Sequence, residues 1–311
     1  MSLSVRTLGS SDAARVNLLL AGARDETMFL RSNIGQGGLT YEGRPLQAKY
    51  FGAFVDQTLV GVAALCWNGM VVVYAPFGLE PLLEAVVAEA FARGPAIVGL
   101  SGPSSQLRGA RERLGLTGRA VLHDVDAKLF GLNLGALKRP ELLDTPGVIL
   151  RRARISDLPV LVEWDIGYRM EALGDLGAEQ SRKEITRTLA DYLASGAQSI
   201  RLLECDGKLV ARTMFGAMCS EMVQVGGVWA PPAERGKGYG RAAVAGSLYE
   251  AAAGGVRRAV LFAHDANAIR AYEAIGFRQV GYYTLVTLAE PLAPSRRRDV
   301  SASPPHSPTA A

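Results

Sequence analysis

Four pairs of short segments recur in the same order along this chain of 311 residues, and that repetition limits the fold more than any other feature. Ser11-Asp12 ahead of Val16-Asn17-Leu18-Leu19-Leu20 is matched by Ser156-Asp157 ahead of Val160-Leu161-Val162. Ser-Asp before an apolar periodic run reads as a helix start, where a side-chain oxygen can cap free backbone N–H groups. Val55-Asp56-Gln57-Thr58-Leu59-Val60 is matched by Cys205-Asp206-Gly207-Lys208-Leu209-Val210. Each reads as a strand, an Asp-led turn and a second strand. A further strand then ends alike in both copies, at Val73-Tyr74-Ala75-Pro76 and Val228-Trp229-Ala230-Pro231. Finally, Ala110 to Leu116 is matched by Ala271 to Phe277, each a helix closing at a glycine followed by an apolar residue.

The spacing between partners grows slowly from 145 to 161 residues, as two diverged copies with small insertions require. The order in each copy is helix, antiparallel hairpin, strand, helix, strand, helix, strand. That order predicts a mixed α/β (α+β) fold of two domains, each a mostly antiparallel mixed sheet flanked by helices. The length suits two cores rather than one. The expected organisation is a first domain over 1–137, a linker over 138–147 where Pro140 and Pro146-Gly147 break the periodicity, and a second domain over 148–292. The tail 293–311 carries Arg296-Arg297-Arg298 and then mostly Ser, Pro and Ala, and is expected to be disordered.

Several function classes are disfavoured. Val60 to Leu79 is long enough to cross a bilayer, but Asn68-Gly69 in its middle is a strong hairpin signal. No export signal opens the chain, so the expectation is a soluble, cytoplasmic protein with no membrane partner, monomeric or homodimeric. Cys66, Cys205 and Cys219 have no metal spacing and the three histidines are scattered, so no metal is expected. A net charge of +4 spread along the whole chain suits a small anionic ligand and gives no basic stripe for nucleic acid.

The copies differ after the Ala-Pro pair. The second copy inserts Arg235-Gly236-Lys237-Gly238-Tyr239-Gly240 before a helix that opens at Arg241. Glycines let a backbone approach a ligand closely, and a helix start offers unpaired N–H groups with the positive end of the dipole. Together they form a cradle for a pyrophosphate, with Arg235 and Lys237 adding charge at its mouth. A plain glycine turn is the alternative reading. No Gly-Lys-Ser/Thr closes a Walker loop. The first copy runs directly into Glu80-Pro81-Leu82-Leu83-Glu84 and lacks the loop, so the scaffold can be built without it.

Val228-Trp229-Ala230-Pro231, Arg235-x-x-Gly238-x-Gly240 and Ala268 to Phe277, in this order, resemble the GNAT superfamily of N-acetyltransferases, over residues 148 to about 288. The first half resembles a degenerate copy more weakly. The resemblance implies acetyl-CoA as cosubstrate, with its pyrophosphate on Arg235 to Gly240 and Arg241. Its pantetheine would lie along the strand edge at Val228, Trp229 and Ala230, in a gap between that strand and Ala259-Val260-Leu261-Phe262. Tyr272 matches the tyrosine that protonates the departing thiolate in many members, and Arg111 stands at its place in the first copy. Where many members carry an Asn seven residues before the tyrosine, this chain has Asp265, which leaves Asn267 as the polar cofactor contact. Glu221 is the candidate base, with Gln224 near the usual base position and Glu163 or His264 as further options.

These residues imply acetyl transfer to a primary amine of a small molecule or peptide. A CoA-binding regulatory protein without turnover is the alternative. Arg31, Asn33 and Gly35-Gln36-Gly37-Gly38 are expected to form a polar loop, either a plain surface turn or part of an acceptor site, with the first half as its wall.

Overall fold

In this computed structural model, the residues described are 2–292, except Gly115, Thr117, Leu173, Asp175, Leu176 and 195–199. The tail 293–311 and the Gly115 of the first helix-closing motif therefore lie outside the described residues.

The paired turns form as their sequences require. β2 (Ala48–Val55) and β3 (Thr58–Cys66) are joined through Asp56 and Gln57, and β8 (Arg201–Cys205) and β9 (Lys208–Met218) through Asp206 and Gly207. All four turn residues have positive φ, which gives a hairpin turn whose twist matches its strands. Gly69, also at positive φ, turns β3 into β4 (Met70–Tyr74), so the long apolar stretch is a buried hairpin. Among the described residues no helix is long and apolar enough to cross a membrane.

The two Ser-Asp motifs correct the expectation of simple helix caps. Each lies in a short 3₁₀ turn, Ser10–Asp12 or Ile155–Asp157, just ahead of α1 (Ala13–Gly22) or α5 (Leu158–Ala172). The aspartate reaches backwards instead. Asp12 accepts from the backbone N–H of Gly9 and pairs with Arg6, and Asp157 accepts from that of Arg154 and pairs with Arg151. Arg6 lies in β1 (Leu3–Thr7) and Arg151 in β7 (Val148–Arg152), so the same clip recurs at the same place in each half.

The remaining elements are α2 (Met28–Gly37), α3 (Leu79–Ala92), β5 (Ile97–Pro103), α4 (Ser104–Arg113) and β6 (Val121–Asn133) in the first half. The second half adds α6 (Arg182–Ala194), β10 (Met222–Trp229), α7 (Tyr239–Ala253), β11 (Arg258–Ala263), α8 (Ala266–Ala274) and β12 (Arg278–Leu292). The polar loop expected at Arg31 to Gly38 is therefore mostly helix, because Leu30 and Met28 are buried and hold α2 against the sheet.

The mixed α/β class is as expected, but the two sheets are one. Twelve strands run in the order β1-β2-β3-β4-β5-β12-β6-β11-β10-β9-β8-β7. Among the described residues only β4/β5 and β10/β11 are parallel pairs. The final strand of each half lies beside the other half: β12 pairs with β5, β6 pairs with β11, and the two pair with each other at the centre. A helix pair covers each half of each face. α3 and α4 close one apolar core with β12 residues Val286 and Leu288. α7 and α8 close another with β6 residues Phe130 and Leu132. Neither core is complete without a strand from the other half.

Helix α2 also crosses the boundary. Arg31 pairs with Glu221, Ser32 Oγ accepts from the backbone N–H of Met218 at 3.0 Å, and Arg258 of β11 pairs with Asp25 just before α2.

Candidate active site

β10 and β11 run in parallel register only from Met222–Arg258 to Val225–Leu261. Beyond that rung they part. On its other side β10 stays attached to β9, but its register slips between Gly226 and Trp229, where Gly227 takes φ +55°. Such a bulge swings the strand away from its neighbour and leaves backbone groups unpaired on the open edge. The result is a cleft of about 1500 Å³ lined by the ends of both strands, the loop Arg235 to Gly240, and residues of α5, α8, β6 and β12.

The loop is built for close backbone approach. Gly236 and Gly238 have φ +78° and +81°, a region that L side chains rarely adopt. Gly238 is the N-cap of α7, so the free N–H groups of a helix fifteen residues long open onto the cleft. Arg241 lines the cleft with its Nε buried and without a partner. A buried guanidinium nitrogen left unpaired at a helix N-terminus suits a bound anion, and phosphate oxygens supply the acceptors it lacks.

The two loop cations are placed differently from the sequence reading. Arg235 stacks on Trp229, 4.6 Å from the ring centre, donates Nε to the carbonyl of Ala230 at 3.1 Å and pairs with Glu171 at 2.9 Å. Lys237 pairs with Glu234 at 2.9 Å, which Lys208 also reaches. Their charge is thus largely spent within the protein, and the anion-binding character falls to the glycine backbone, the helix start and Arg241.

Tyr272, which the resemblance implied as the proton donor, lines the cleft. It projects from α8 into the lining, 9% exposed, with its ring edge-on to Phe277. Burial pushes its hydroxyl well above the ordinary tyrosine range, and the neighbouring Tyr168 and Asp265 add to the shift. It therefore keeps its proton at neutral pH and can act as a donor. Asp265 caps α8, accepting at 2.9 Å from the backbone N–H groups of Asn267 and Ala268. That explains an acid at this position, and Asn267 and His264 both remain in the lining.

Glu221 does not belong to the cleft. It precedes β10 at the end opposite the opening, its carboxylate is paired with Arg31 and its carbonyl accepts from Arg257 and Arg258. An ion pair with a buried-side arginine holds it as a carboxylate at the wrong end of the strand. Glu163 likewise is an exposed partner of Arg182. Gln224 does line the cleft, with its amide nitrogen donating to the carbonyl of Val225.

Residues that sequence reasoning missed come from two sources. Tyr168 of α5 enters from the face opposite Tyr272 and is hydrogen-bonded to the bulge at Gly227. Close contact of helix and strand is needed there: a Cβ at Gly167 would lie 2.7 Å from the Trp229 ring. Beneath it, the fully buried Arg212 donates to Asp165 at 2.9 Å and lies over the Tyr168 ring. His123, Val125 and Ala127 of β6 come from the first half by strand exchange, and Phe29 comes from it on α2. The helical spacing of Trp164, Tyr168 and Glu171 was the one local signal available.

In the first half the equivalent opening is sealed. β4 and β5 pair through Val72–Ser101, and Gln106 of α4 then reaches across to accept from the backbone N–H of Ala75 at 2.7 Å. A Cβ on Gly102 would lie 2.6 Å from the carbonyl oxygen of Val73, so the strands stay together. Gly78 caps α3 with φ +73°, as Gly238 caps α7, but without an intervening loop. Arg111, at the place of Tyr272, is tied to Asp124 and Asp126.

Comparison with known families agrees with this geometry. The family model described as the acetyltransferase (GNAT) family matches residues 167–277, from the end of α5 through α8. The matched segment is similar to the GNAT family over about a third of the chain. Its match begins beside Tyr168 and takes in the bulge, the glycine loop and Tyr272. Among solved structures, a Drosophila protein has a TM-score of 0.62 at 13% identity, covering 91% of this chain and 98% of that one. A GCN5-related N-acetyltransferase from Sphaerobacter thermophilus gives 0.53 at 16%, covering 91% and 94%. One from Kribbella flavida gives 0.51 at 17%, covering 91% and 97%. At these identities the likeness is one of fold. It extends over both halves of the chain, beyond the segment that the family model matches. No curated protein matches the sequence. No group of residues suited to a metal ion occurs among the described residues.

Proposed function

We propose that the protein transfers the acetyl group of acetyl-CoA to a primary amine by direct attack. The observation that carries this reading is the parting of β10 from β11 beyond Val225–Leu261, with the glycine loop at one end of the gap and Tyr272 inside it. Acetyl-CoA supplies an activated thioester. The backbone of Gly236 to Gly240, the start of α7 and Arg241 hold its pyrophosphate. The open edge of β10 at Val228, Trp229 and Ala230 pairs with the pantetheine as an added strand would. Asn267 is a polar contact from the opposite wall.

Tyr272 donates its proton to the departing sulfur. The amine nitrogen attacks the thioester carbon and releases a proton to solvent, the carbon–sulfur bond breaks, the departing sulfur takes the phenol proton, and the tyrosinate is reprotonated from solvent. Tyr168, half-buried on α5, holds the bulge that orients the strand edge. The acceptor is a small molecule or a peptide. The organisation consistent with this reading is a first domain over 1–137, a linker over 138–147 and an acetyltransferase domain over 148–292. The first half then acts as a wall of the acceptor site and has no cofactor site of its own.

The test is calorimetric titration of CoA into the full chain, followed by thiol release from acetyl-CoA with a panel of amines. Binding with turnover supports the reading. Tight CoA binding with no acetylation of any amine would favour a CoA-responsive regulatory protein, a reading for which the removal of Glu221 from the cleft gives some ground. No CoA binding would remove both.

A further inference from the structure

We propose that the acceptor is an amine carried on an aromatic or extended apolar body, received on a floor that the two halves build together. This rests on the acetyl-transfer reading and names the substrate class of the same site.

Two observations carry it. The first is the floor. On the sheet face opposite α7 and α8, the cleft runs over three rings from three elements: Phe262 of β11, Tyr283 of β12 and Phe29 of α2. Phe262 lies 4.7 Å from Tyr283 and 5.7 Å from Phe29, with Phe29 and Tyr283 5.8 Å apart, all between ring centres. Phe29 and Phe262 are only half-buried, so ring surface faces the cleft. Val125 and Leu285, opposite each other on β6 and β12, continue the apolar strip away from the thioester end. Aromatic and aliphatic surface of this kind gains by covering a ring or a chain.

The second observation is the state of the carboxylates. Three acids line the cleft, and each is already engaged: Glu171 with Arg235, Glu234 with Lys208 and Lys237, and Asp265 with two backbone N–H groups of α8. Among the described lining residues, no carboxylate is left for a second ammonium group. A polyamine, an aminoglycoside or a lysine-rich peptide brings extra cations that would be desolvated here without a partner. A single amine on an apolar body has no such cost. Desolvation over this floor also lowers the amine's own pKa, which favours the neutral, nucleophilic form and relieves the need for a strong side-chain base.

The experiment uses the full chain with acetyl-CoA and compares 2-phenylethylamine, hexylamine, spermidine and a lysine-rich peptide by thiol release. Binding of each amine to the CoA-loaded protein is measured in parallel by calorimetry. Expected is a kcat/KM for 2-phenylethylamine about tenfold or more above that for spermidine or the peptide, with Phe262→Ala lowering it about tenfold. Should Phe262→Ala fail to fold, Val125→Glu places an unpaired carboxylate on the strip and is expected to shift preference towards spermidine. Preference of the wild type for spermidine or the peptide, or no preference, overturns the inference while leaving acetyl transfer standing. If CoA binds without turnover, acetyl transfer fails, and the calorimetric ranking of the amines decides this inference by itself. Failure of every amine to bind overturns it.

Discussion

Val225 and Leu261 form the last rung between β10 and β11, and only three residues separate Val225 from Trp229, against which Arg235 stacks. The parting of the strands and the glycine loop are thus coupled within one short run of chain. A ligand reaching from the loop to the rung is held over its length by a single strand edge and the helix that follows it.

Tyr272→Phe removes only the hydroxyl from a buried ring. Turnover is expected to fall about 100-fold or more, the usual scale for loss of a positioned acid. CoA affinity, measured by calorimetry, is expected to stay near that of the wild type, since the ring packing on Phe277 is kept. Equal loss of affinity and turnover would assign the residue to binding. Because burial raises the Tyr272 pKa, its proton is held through the neutral and mildly alkaline range. An alkaline limb in the kcat profile below pH 9 should therefore survive unchanged in shape in Tyr272→Phe.

Gly238→Glu is expected to abolish CoA binding, because it sets a carboxylate at the anion site and a Cβ at φ +81°. Gly238→Ala separates the two effects. It carries the backbone strain of about 1 to 2 kcal/mol but no charge, and should weaken binding far less. Equal losses in both variants would place the effect in the backbone alone.

Arg212 is fully buried and its guanidinium depends on Asp165. Asp165→Ala leaves that charge unpaired inside the protein and is expected to cost about 3 to 5 kcal/mol, read from urea unfolding. The double variant Asp165→Leu with Arg212→Met should recover most of this loss, since apolar residues of similar volume replace such pairs well. A double variant as unstable as the single one would show that the pair does more than balance charge.

The Arg6–Asp12 clip gives acid stability with a definite sign. The hydrogen bonds from Arg6 hold the Asp12 carboxyl at about 2, below its ordinary 3.8. A depressed folded-state pKa means stability that is present above the ordinary value and is lost as pH falls from 3.8 through about 2. Asp12→Asn should remove this dependence, so that the wild-type and variant unfolding midpoints converge at low pH. Asp157, lowered by Arg151 in the same way, should behave alike.

The local signals in the sequence were sufficient for the parts that are local. The Asp-led turns, the Asn-Gly hairpin, the glycine loop before α7 and Tyr272 on α8 all depend on residues a few positions apart, where backbone preference and helix period act directly. Comparing the halves also located the one difference that matters, the loop present after Ala230-Pro231 and absent after Ala75-Pro76. What the sequence could not supply was partnership between distant segments. Glu221 looked like a base because it precedes the right strand, but Arg31, 190 residues away, claims it at the far end. The two expected sheets became one because β6 and β12 each complete the other half, a choice made by long-range pairing energy rather than by the pattern within either strand. That exchange brings Val125 and Tyr283 to the cleft, and α2 brings Phe29. The glycine loop and Tyr272 were thus written locally in the sequence, while the aromatic floor of the cleft exists only through tertiary structure, because its rings come from strands and a helix that meet nowhere along the chain.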